Sequence, residues 1–230
     1  MIKVLQGWQE IGDSILTLQG RGLPTHETAQ KNWDHFLLSN ALASADKQSR
    51  IADLGCGDGH TLALIHALGF NNVDGVDLQI SWKLRAKQLL TMRREKVLRP
   101  PFRLRRGDII KTPFGSETFD MAISISTIEH GVDLGSFFAE ARRILKPGGT
   151  LFVTTDYWEE KVASDSPALI YGLPWQVFCR DQIETVIKAA DELGLKLSAQ
   201  TGIPPCSGRP VFWQNTSYTF IAMLFRKAVA

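Results

Sequence analysis

Short apolar runs alternate with longer segments of helical periodicity through the middle of the chain. The apolar runs predict strands at 51–54, 73–77, 102–106, 119–124, 150–154, 195–200 and 218–225. Most of the segments between them carry apolar residues at helical spacing. Strands that alternate with helices are typical of βαβ units, so the pattern predicts an α/β fold with a doubly wound, mostly parallel sheet of seven strands.

Residues that end helices sharpen two of the predicted boundaries. A helix over about 58–68 follows a glycine-rich turn, and another over about 133–145 stops before Lys146-Pro147-Gly148-Gly149. Proline lacks a backbone donor and glycine adopts conformations that other residues avoid, so this run ends the helix.

Three segments do not follow the alternation of strands and helices. They are residues 1–48, about 156–180 and 201–216, and the last two are rich in aromatic residues and proline. We expect an N-terminal helical lid over 1–48, with Thr25 as the N-cap of a helix that carries Trp33. We expect the sheet domain to cover 49–230 and the other two segments to be lid insertions near the carboxyl ends of strands, where open α/β sheets bind ligands.

Composition is typical of one catalytic domain in a reduced compartment. The 230 residues, 44% of them hydrophobic, suffice for one sizeable core. The three cysteines are far apart and lack metal-ligand spacing, which predicts neither disulfides nor zinc and favours the cytoplasm. The first residues include Lys3, Glu10 and Asp13, so we expect neither a signal peptide nor a membrane span there.

Positive charge is concentrated between Lys83 and Arg106, although the net charge is only +2. This stretch could contact phosphate, nucleic acid or an acidic membrane, or it could be the solvated face of a helix and an edge strand. The second interpretation is favoured, since neither interleaved aromatic residues nor a nucleic-acid-binding motif accompanies the charge.

The strongest chemical signal is an apolar strand that runs into a turn with glycine at alternate positions, Ile51-Ala52-Asp53-Leu54-Gly55-Cys56-Gly57-Asp58-Gly59-His60. Without Cβ atoms the backbone can turn sharply and approach a bulky ligand, and the next helix offers free N–H groups. Nicotinamide and flavin sites also use such a turn, but their usual spacing is G-x-G-x-x-G. Here the third glycine comes one residue early, and Asp53 is acidic where a dinucleotide-binding strand is usually apolar.

From Asp53 to Gly59 this turn resembles the first motif of the class I, S-adenosylmethionine-dependent methyltransferases. The second strand ends in Val76-Asp77-Leu78, the third is followed by Gly107-Asp108-Ile109, and Phe119–Ser124 and Arg143–Leu151 are similar to the family's next two motifs. The resemblance covers about residues 50–155. It implies the seven-stranded Rossmann-like fold of that family, with an antiparallel last strand.

The resemblance also implies which residues hold the cofactor. Asp77 would accept hydrogen bonds from both ribose hydroxyls and Asp108 would hold the adenine, while Gly55 and Gly57 would admit the methionine portion. The full set of expected cofactor-binding residues is Asp53, Gly55, Cys56, Gly57, Asp77, Leu78, Asp108, Ile109 and Ser124.

Glu129 and His130, just after the fourth strand, are the candidate catalytic residues. Methyl transfer is an in-line displacement that needs a base only when the acceptor must lose a proton, and histidine titrates near neutrality. The pair can equally have a structural or orienting role. No metal is expected, because Ser126 stands where a metal-assisted enzyme would place a further carboxylate.

These observations predict an enzyme that moves the methyl group of S-adenosylmethionine to an oxygen of a small molecule or glycan. Two alternatives are a nicotinamide-dependent oxidoreductase and a non-catalytic module that binds the cofactor. A nucleic-acid or protein methyltransferase also remains open because of the basic stretch. The sequence leaves the oligomeric state undetermined.

Overall fold

The computed structural model describes residues 1–97, 100–162, 169–170, 172–198 and 202–229. Its strands are β1 (Ile2–Val4), β2 (Ile51–Leu54), β3 (Val73–Asp77), β4 (Arg103–Arg106), β5 (Phe119–Ile125), β6 (Leu145–Tyr157), β7 (Leu169–Ile170), β8 (Leu173–Pro174), β9 (Leu195–Leu197), β10 (Val211–Trp213) and β11 (Thr216–Lys227). Its helices are α1 (Trp8–Gly20), α2 (Lys31–Ala41), α3 (His60–Ala67), α4 (Trp82–Glu95), α5 (Leu134–Ile144) and α6 (Arg180–Glu192).

One mixed sheet forms the centre of the molecule, in the order β1-β11-β6-β5-β2-β3-β4, with β9 and β10 also paired to β11. Strands β4, β3, β2, β5 and β6 are parallel, and β11 runs antiparallel to β6. The predicted fold class, including the antiparallel last strand, is confirmed. All seven predicted strands are present, and the short strands β1 and β10 extend the sheet beyond them by pairing with β11.

Helices cover both faces of this sheet, as the doubly wound prediction requires. On one face α5 and α6 pack side chains such as Phe137, Phe138 and Ile183 into the core. On the other face α1, α2 and α3 bury Leu18, Leu37 and Leu62, among others. Helix α4 is different, because Leu84 is its one core residue among those whose side chains are described.

Several element boundaries differ from those predicted. Helix α2 begins at Lys31, well after Thr25. Strand β6 starts at Leu145, ahead of the expected Thr150, because the Pro-Gly-Gly run forms an irregularity within the strand and leaves its pairing with β5 intact on both sides. The predicted strand at 195–200 is β9, and its residues 199–200 lie outside the described part of the chain.

The segments expected to form a lid are partly attached to the sheet. Residues 2–4 are a strand, and the Leu5 N–H donates to the Phe220 carbonyl at 2.9 Å. Strand β10 lies within 201–216, while residues 163–168, 171 and 201 lie outside the described residues. A lid function for these segments stays a prediction. Among the described residues, no helix combines the length and apolar character needed to cross a membrane.

Candidate active site

The glycine loop between β2 and α3 has the backbone conformation that its sequence requires. Gly55 and Gly59 have φ angles of 86° and 76°, in the left-handed region that side chains disfavour. A Cβ atom on Gly55 would lie 2.5 Å from the Thr127 side chain, whereas the space beside Gly57 is open within 4 Å. The loop is therefore closely packed against the segment after β5 on one side and accessible to a ligand on another.

The carboxylate of Asp77 fixes this loop to the end of β3. Its Oδ2 accepts the Gly57 N–H at 2.9 Å, and its Oδ1 accepts the Gln79 N–H at 3.0 Å. The backbone N–H of Gly55 in turn donates to the Val76 carbonyl at 2.9 Å. Asp77 is thus held by two backbone donors, while each oxygen retains capacity for a further hydrogen bond.

A cavity of about 270 Å³, called here the cofactor cavity, opens beside this carboxylate. Its lining consists of Gly55, Asp77, Leu78, Asp108, Ile109, Ile110, Thr127, His130, Gly131, Val132, Asp133 and Leu173. Three of these residues are aspartates, and none of them is a lysine or arginine. Such a lining suits a ligand with a positive charge and lacks the side-chain cations that would favour a pyrophosphate.

Apolar side chains from the segments after β3 and β4 form one wall of the cofactor cavity. Ile109 is buried, Leu78 is exposed, and both line the cofactor cavity. Asp108 is exposed and lines the same cavity, and its Oδ1 accepts the Ile110 N–H at 3.1 Å. A flat apolar ring with an exocyclic amine would find apolar side chains and a carboxylate here.

Asp53, Cys56 and Ser124, three of the expected cofactor-binding residues, are buried and do not line the cavity. Ser124 is fully buried, and its hydroxyl donates to the Leu54 carbonyl at 3.0 Å. Burial, with a smaller contribution from the charge of Asp77, raises the pKa of Asp53 to about 8. Burial also raises the pKa of the Cys56 thiol. These three side chains therefore pack against other parts of the protein and do not face the cofactor cavity.

A second cavity of about 330 Å³, called here the aromatic cavity, lies beyond His130. It is lined by Thr28, Gln30, Lys31, Ser126, Glu129, His130, Asp156, Trp175, Val211, Phe212, Trp213, Tyr218 and Phe220. Trp175 packs edge-on against Trp213, with ring centroids 4.8 Å apart, and at a tilted angle against Tyr218, with centroids 5.6 Å apart. These rings form a largely apolar wall of the cavity, and polar side chains form its floor.

Two buried carboxyl groups form part of that floor. Asp156 accepts the Trp175 indole N–H at 2.8 Å, and Glu129 accepts the Thr155 hydroxyl at 3.0 Å. Burial raises the pKa of both groups, and for Glu129 the neighbouring Asp156 adds to the effect. The protonated forms are therefore favoured relative to carboxyl groups in water.

Lys31 brings a positive charge from the start of α2 into the same cavity. Its ammonium contacts the Ser126 hydroxyl, lies 3.9 Å from the Phe220 ring centroid and lies 3.9 Å from Oδ2 of the buried Asp34. Ser126 has a φ angle of 49°, which is unusual for a residue with a side chain. Lys31 is the one lysine or arginine among the described residues that line the aromatic cavity.

His130 lines both cavities and forms part of the wall between them. Its Nδ1 is buried and has no hydrogen-bond partner among the described residues. Burial lowers the pKa of the imidazole, and the charge of Lys31 lowers it further. Its surroundings therefore favour the neutral imidazole, the form that can accept a proton.

Six of the eleven residues predicted from the sequence share the cofactor cavity: Gly55, Asp77, Leu78, Asp108, Ile109 and His130. Glu129 faces the aromatic cavity, and Gly57 contributes its backbone N–H to Asp77. Sequence reasoning missed Lys31 and Thr127. Among the described residues, no group of three or more His, Cys, Asp or Glu side chains is placed to hold a metal ion.

A glycine loop after one strand of a doubly wound sheet and a carboxylate at the end of the next define a nucleotide-cofactor-binding α/β protein. Residues 52–153 match the family model described as a methyltransferase domain. These residues are therefore a methyltransferase domain, and solved methyltransferases of similar fold hold S-adenosyl-L-methionine or S-adenosyl-L-homocysteine.

Curated relatives cover most of the chain at modest identity. The mitochondrial ubiquinone biosynthesis O-methyltransferase of Homo sapiens is 27% identical over 78% of the chain, and 24-methylenesterol C-methyltransferase 2 of Oryza sativa subsp. japonica is 27% identical over 96%. The matches span 51% and 63% of those proteins.

A solved structure agrees in fold. Geranyl diphosphate C-methyltransferase from Streptomyces coelicolor A3(2), in complex with Mg²⁺, geranyl diphosphate and S-adenosyl-L-homocysteine, superposes with a TM-score of 0.63 at 18% identity. The match covers 89% of this chain and 86% of that one, so the similarity extends well beyond residues 52–153.

Proposed function

We propose that this protein transfers the methyl group of S-adenosylmethionine to an oxygen of a small molecule held in the aromatic cavity. The observation that carries the proposal is the position of His130, which lines both cavities. A group at that boundary can contact an acceptor on one side while the cofactor lies on the other. Glycan remains the alternative acceptor, because the aromatic wall could also stack on a sugar ring.

The cofactor cavity has the chemistry that S-adenosylmethionine requires. The bound cofactor supplies an electrophilic methyl group on a cationic sulfur. Asp77 would accept the ribose hydroxyls, and Asp108 with Leu78 and Ile109 would hold the adenine. Gly55, which lines the cavity, and Gly57, beside which the space is open within 4 Å, would allow the methionine portion close to the backbone. The absence of lysine and arginine from the described lining favours this cation over a nicotinamide dinucleotide.

His130 would act as the proton acceptor. An acceptor hydroxyl gives its proton to the neutral imidazole while its oxygen attacks the methyl carbon. S-adenosylmethionine, held by Asp77 and Asp108, would supply the methyl group and would leave as S-adenosylhomocysteine, with the electrons of the carbon–sulfur bond on sulfur. Glu129, whose protonated form is favoured by burial, would donate a hydrogen bond within the aromatic cavity.

The aromatic wall and the two relatives support an apolar small acceptor. The relatives are named as methyltransferases of ubiquinone biosynthesis and of a sterol, which are both small molecules with large apolar parts. Trp175, Trp213 and Phe220 offer a matching surface. A cytoplasmic location stays a prediction.

The test is label transfer from methyl-labelled S-adenosylmethionine to a cell extract separated into small-molecule and polymer fractions. We expect the label in the small-molecule fraction. The labelled product should survive conditions that hydrolyse methyl esters, and mass spectrometry should identify it as a methyl ether. His130→Gln should abolish most of the transfer and keep S-adenosylhomocysteine binding. Asp58→Asn, at an exposed residue of the glycine loop, serves as the control. Label confined to polymer, or transfer unchanged in His130→Gln, would contradict the proposal.

A further inference from the structure

Positive charge is concentrated in the part of the sequence that forms helix α4 and the edge strand β4. Between Lys83 and Arg106 the sequence has ten lysines and arginines and a single acid, Glu95, which gives a charge of +9. Because the whole chain has a charge of +2, its remaining residues together carry −7. The charge is therefore a local property of this edge.

Large apolar side chains are exposed on the same helix. Trp82 is 75% exposed, Leu89 is 63% exposed and Leu90 is 66% exposed. Trp82 and Leu89 are seven residues apart, which places them on one face two turns from each other. Lys83, Arg85 and Arg93 are also exposed on α4. The outer surface of α4 thus combines apolar and basic residues.

Protection of the sheet edge explains only part of this surface. Arginines on an edge strand discourage pairing with another chain. Those of β4 also have partners, since Arg103 makes two hydrogen bonds of 2.6 and 2.9 Å with Asp74, and Arg106 donates to the Leu78 carbonyl. Neither role requires an exposed tryptophan and two exposed leucines on α4.

We propose that the outer surface of α4 docks on an anionic phospholipid bilayer. Trp82, Leu89 and Leu90 would enter the boundary between headgroups and acyl chains, and Lys83, Arg85 and Arg93 would contact lipid phosphates. Interfacial helices combine these residue types, and each basic side chain near an anionic surface adds to the attraction. A nucleic acid would bind the basic side chains through its phosphates but would leave the three apolar side chains exposed to solvent. This docking does not depend on the proposed methyl transfer.

The test is co-sedimentation of the full chain with vesicles of phosphatidylcholine, with and without phosphatidylglycerol. Two variants probe the surface, Leu89→Ser/Leu90→Ser for insertion and Lys83→Gln/Arg85→Gln/Arg93→Gln for charge. The matched controls are Leu16→Ser, an exposed leucine on the acid-bearing helix α1, and Lys188→Gln, an exposed lysine of α6. Affinity for S-adenosylhomocysteine reports that each variant is folded.

We expect the wild type to sediment with the anionic vesicles and to remain in solution with phosphatidylcholine alone. Each surface variant should bind the anionic vesicles about tenfold more weakly or worse, and both controls should bind like the wild type. Equal affinity for the two kinds of vesicle, or no loss in Leu89→Ser/Leu90→Ser, would overturn the proposal. Salt-sensitive binding to duplex DNA or RNA without vesicle binding would instead assign the surface to nucleic acid.

Discussion

Removal of the Asp77 carboxylate should weaken cofactor binding more than any other single change in the cofactor cavity. Each of its oxygens already accepts one backbone N–H and can accept one ribose hydroxyl as well. A hydrogen bond to a charged group contributes about 1.5–3 kcal/mol, so the two ribose contacts are worth about 3–6 kcal/mol. Asp77→Ala should therefore raise the Kd of S-adenosylhomocysteine by about a hundredfold to ten-thousandfold. Asp77→Asn keeps one acceptor oxygen and should have an intermediate effect.

Calorimetric titration with S-adenosylhomocysteine measures this change, and urea denaturation shows whether the variants remain folded. Asp58→Asn removes an exposed carboxylate from the glycine loop that Asp77 contacts, and it should leave the affinity unchanged. A Kd for Asp77→Ala within about threefold of the wild type, in a folded protein, would refute the ribose-binding role of Asp77.

Three further results are expected. Because Lys31 adds to burial in lowering the pKa of His130, Lys31→Met should move the acid limb of the pH–rate profile to higher pH, while Lys31→Arg keeps the charge and should leave the limb in place. Folding raises the pKa of Asp53 from 3.8 to about 8, so between these two pH values the unfolded chain releases a proton that the folded protein keeps. The free energy of unfolding should therefore fall as the pH rises through this range. Urea denaturation at pH 5 and at pH 8 should show a smaller fall in Asp53→Asn than in the wild type. Gly55→Ala should lower the free energy of unfolding by about 2–5 kcal/mol, because residue 55 has a left-handed backbone conformation and a Cβ atom there would clash with Thr127. Adding Thr127→Ala to the same chain should recover part of this loss in urea denaturation. No recovery would mean that the clash with Thr127 contributes little.

Local sequence signals predict six of the twelve residues that line the cofactor cavity. The glycine turn, Asp77 and Asp108 each lie at or just after the carboxyl end of a strand, and parallel strands bring their carboxyl ends to one edge of a sheet. Their positions relative to one another therefore depend on the strand order, which the resemblance supplied. Gly55 and His130 share the cofactor cavity with them for the same reason.

The aromatic cavity could not be predicted in the same way. Lys31 precedes Ser126 by 95 residues, and no periodicity or motif relates the two positions. The start of α2 also depends on tertiary packing, since Thr25 has the sequence of an N-cap and the helix begins six residues later. Ser124, which the sequence predicts to bind the cofactor, lines neither cavity. A hydroxyl near the end of a strand can donate to the neighbouring strand as readily as to a ligand, and Ser124 donates to Leu54.

The many partners of β11 have a consequence for the order in which the protein can assemble. Residues 51–125 contain the glycine loop, β2, β3, β4 and β5, so the strands around Asp77 can pair early during synthesis on the ribosome. Among the described residues, β1 pairs in the sheet with β11 alone, and Tyr218 and Phe220 of β11 line the aromatic cavity together with Lys31. A nascent chain would therefore gain a surface for its cofactor well before it encloses an acceptor, which makes the cofactor a candidate early stabiliser of the growing fold.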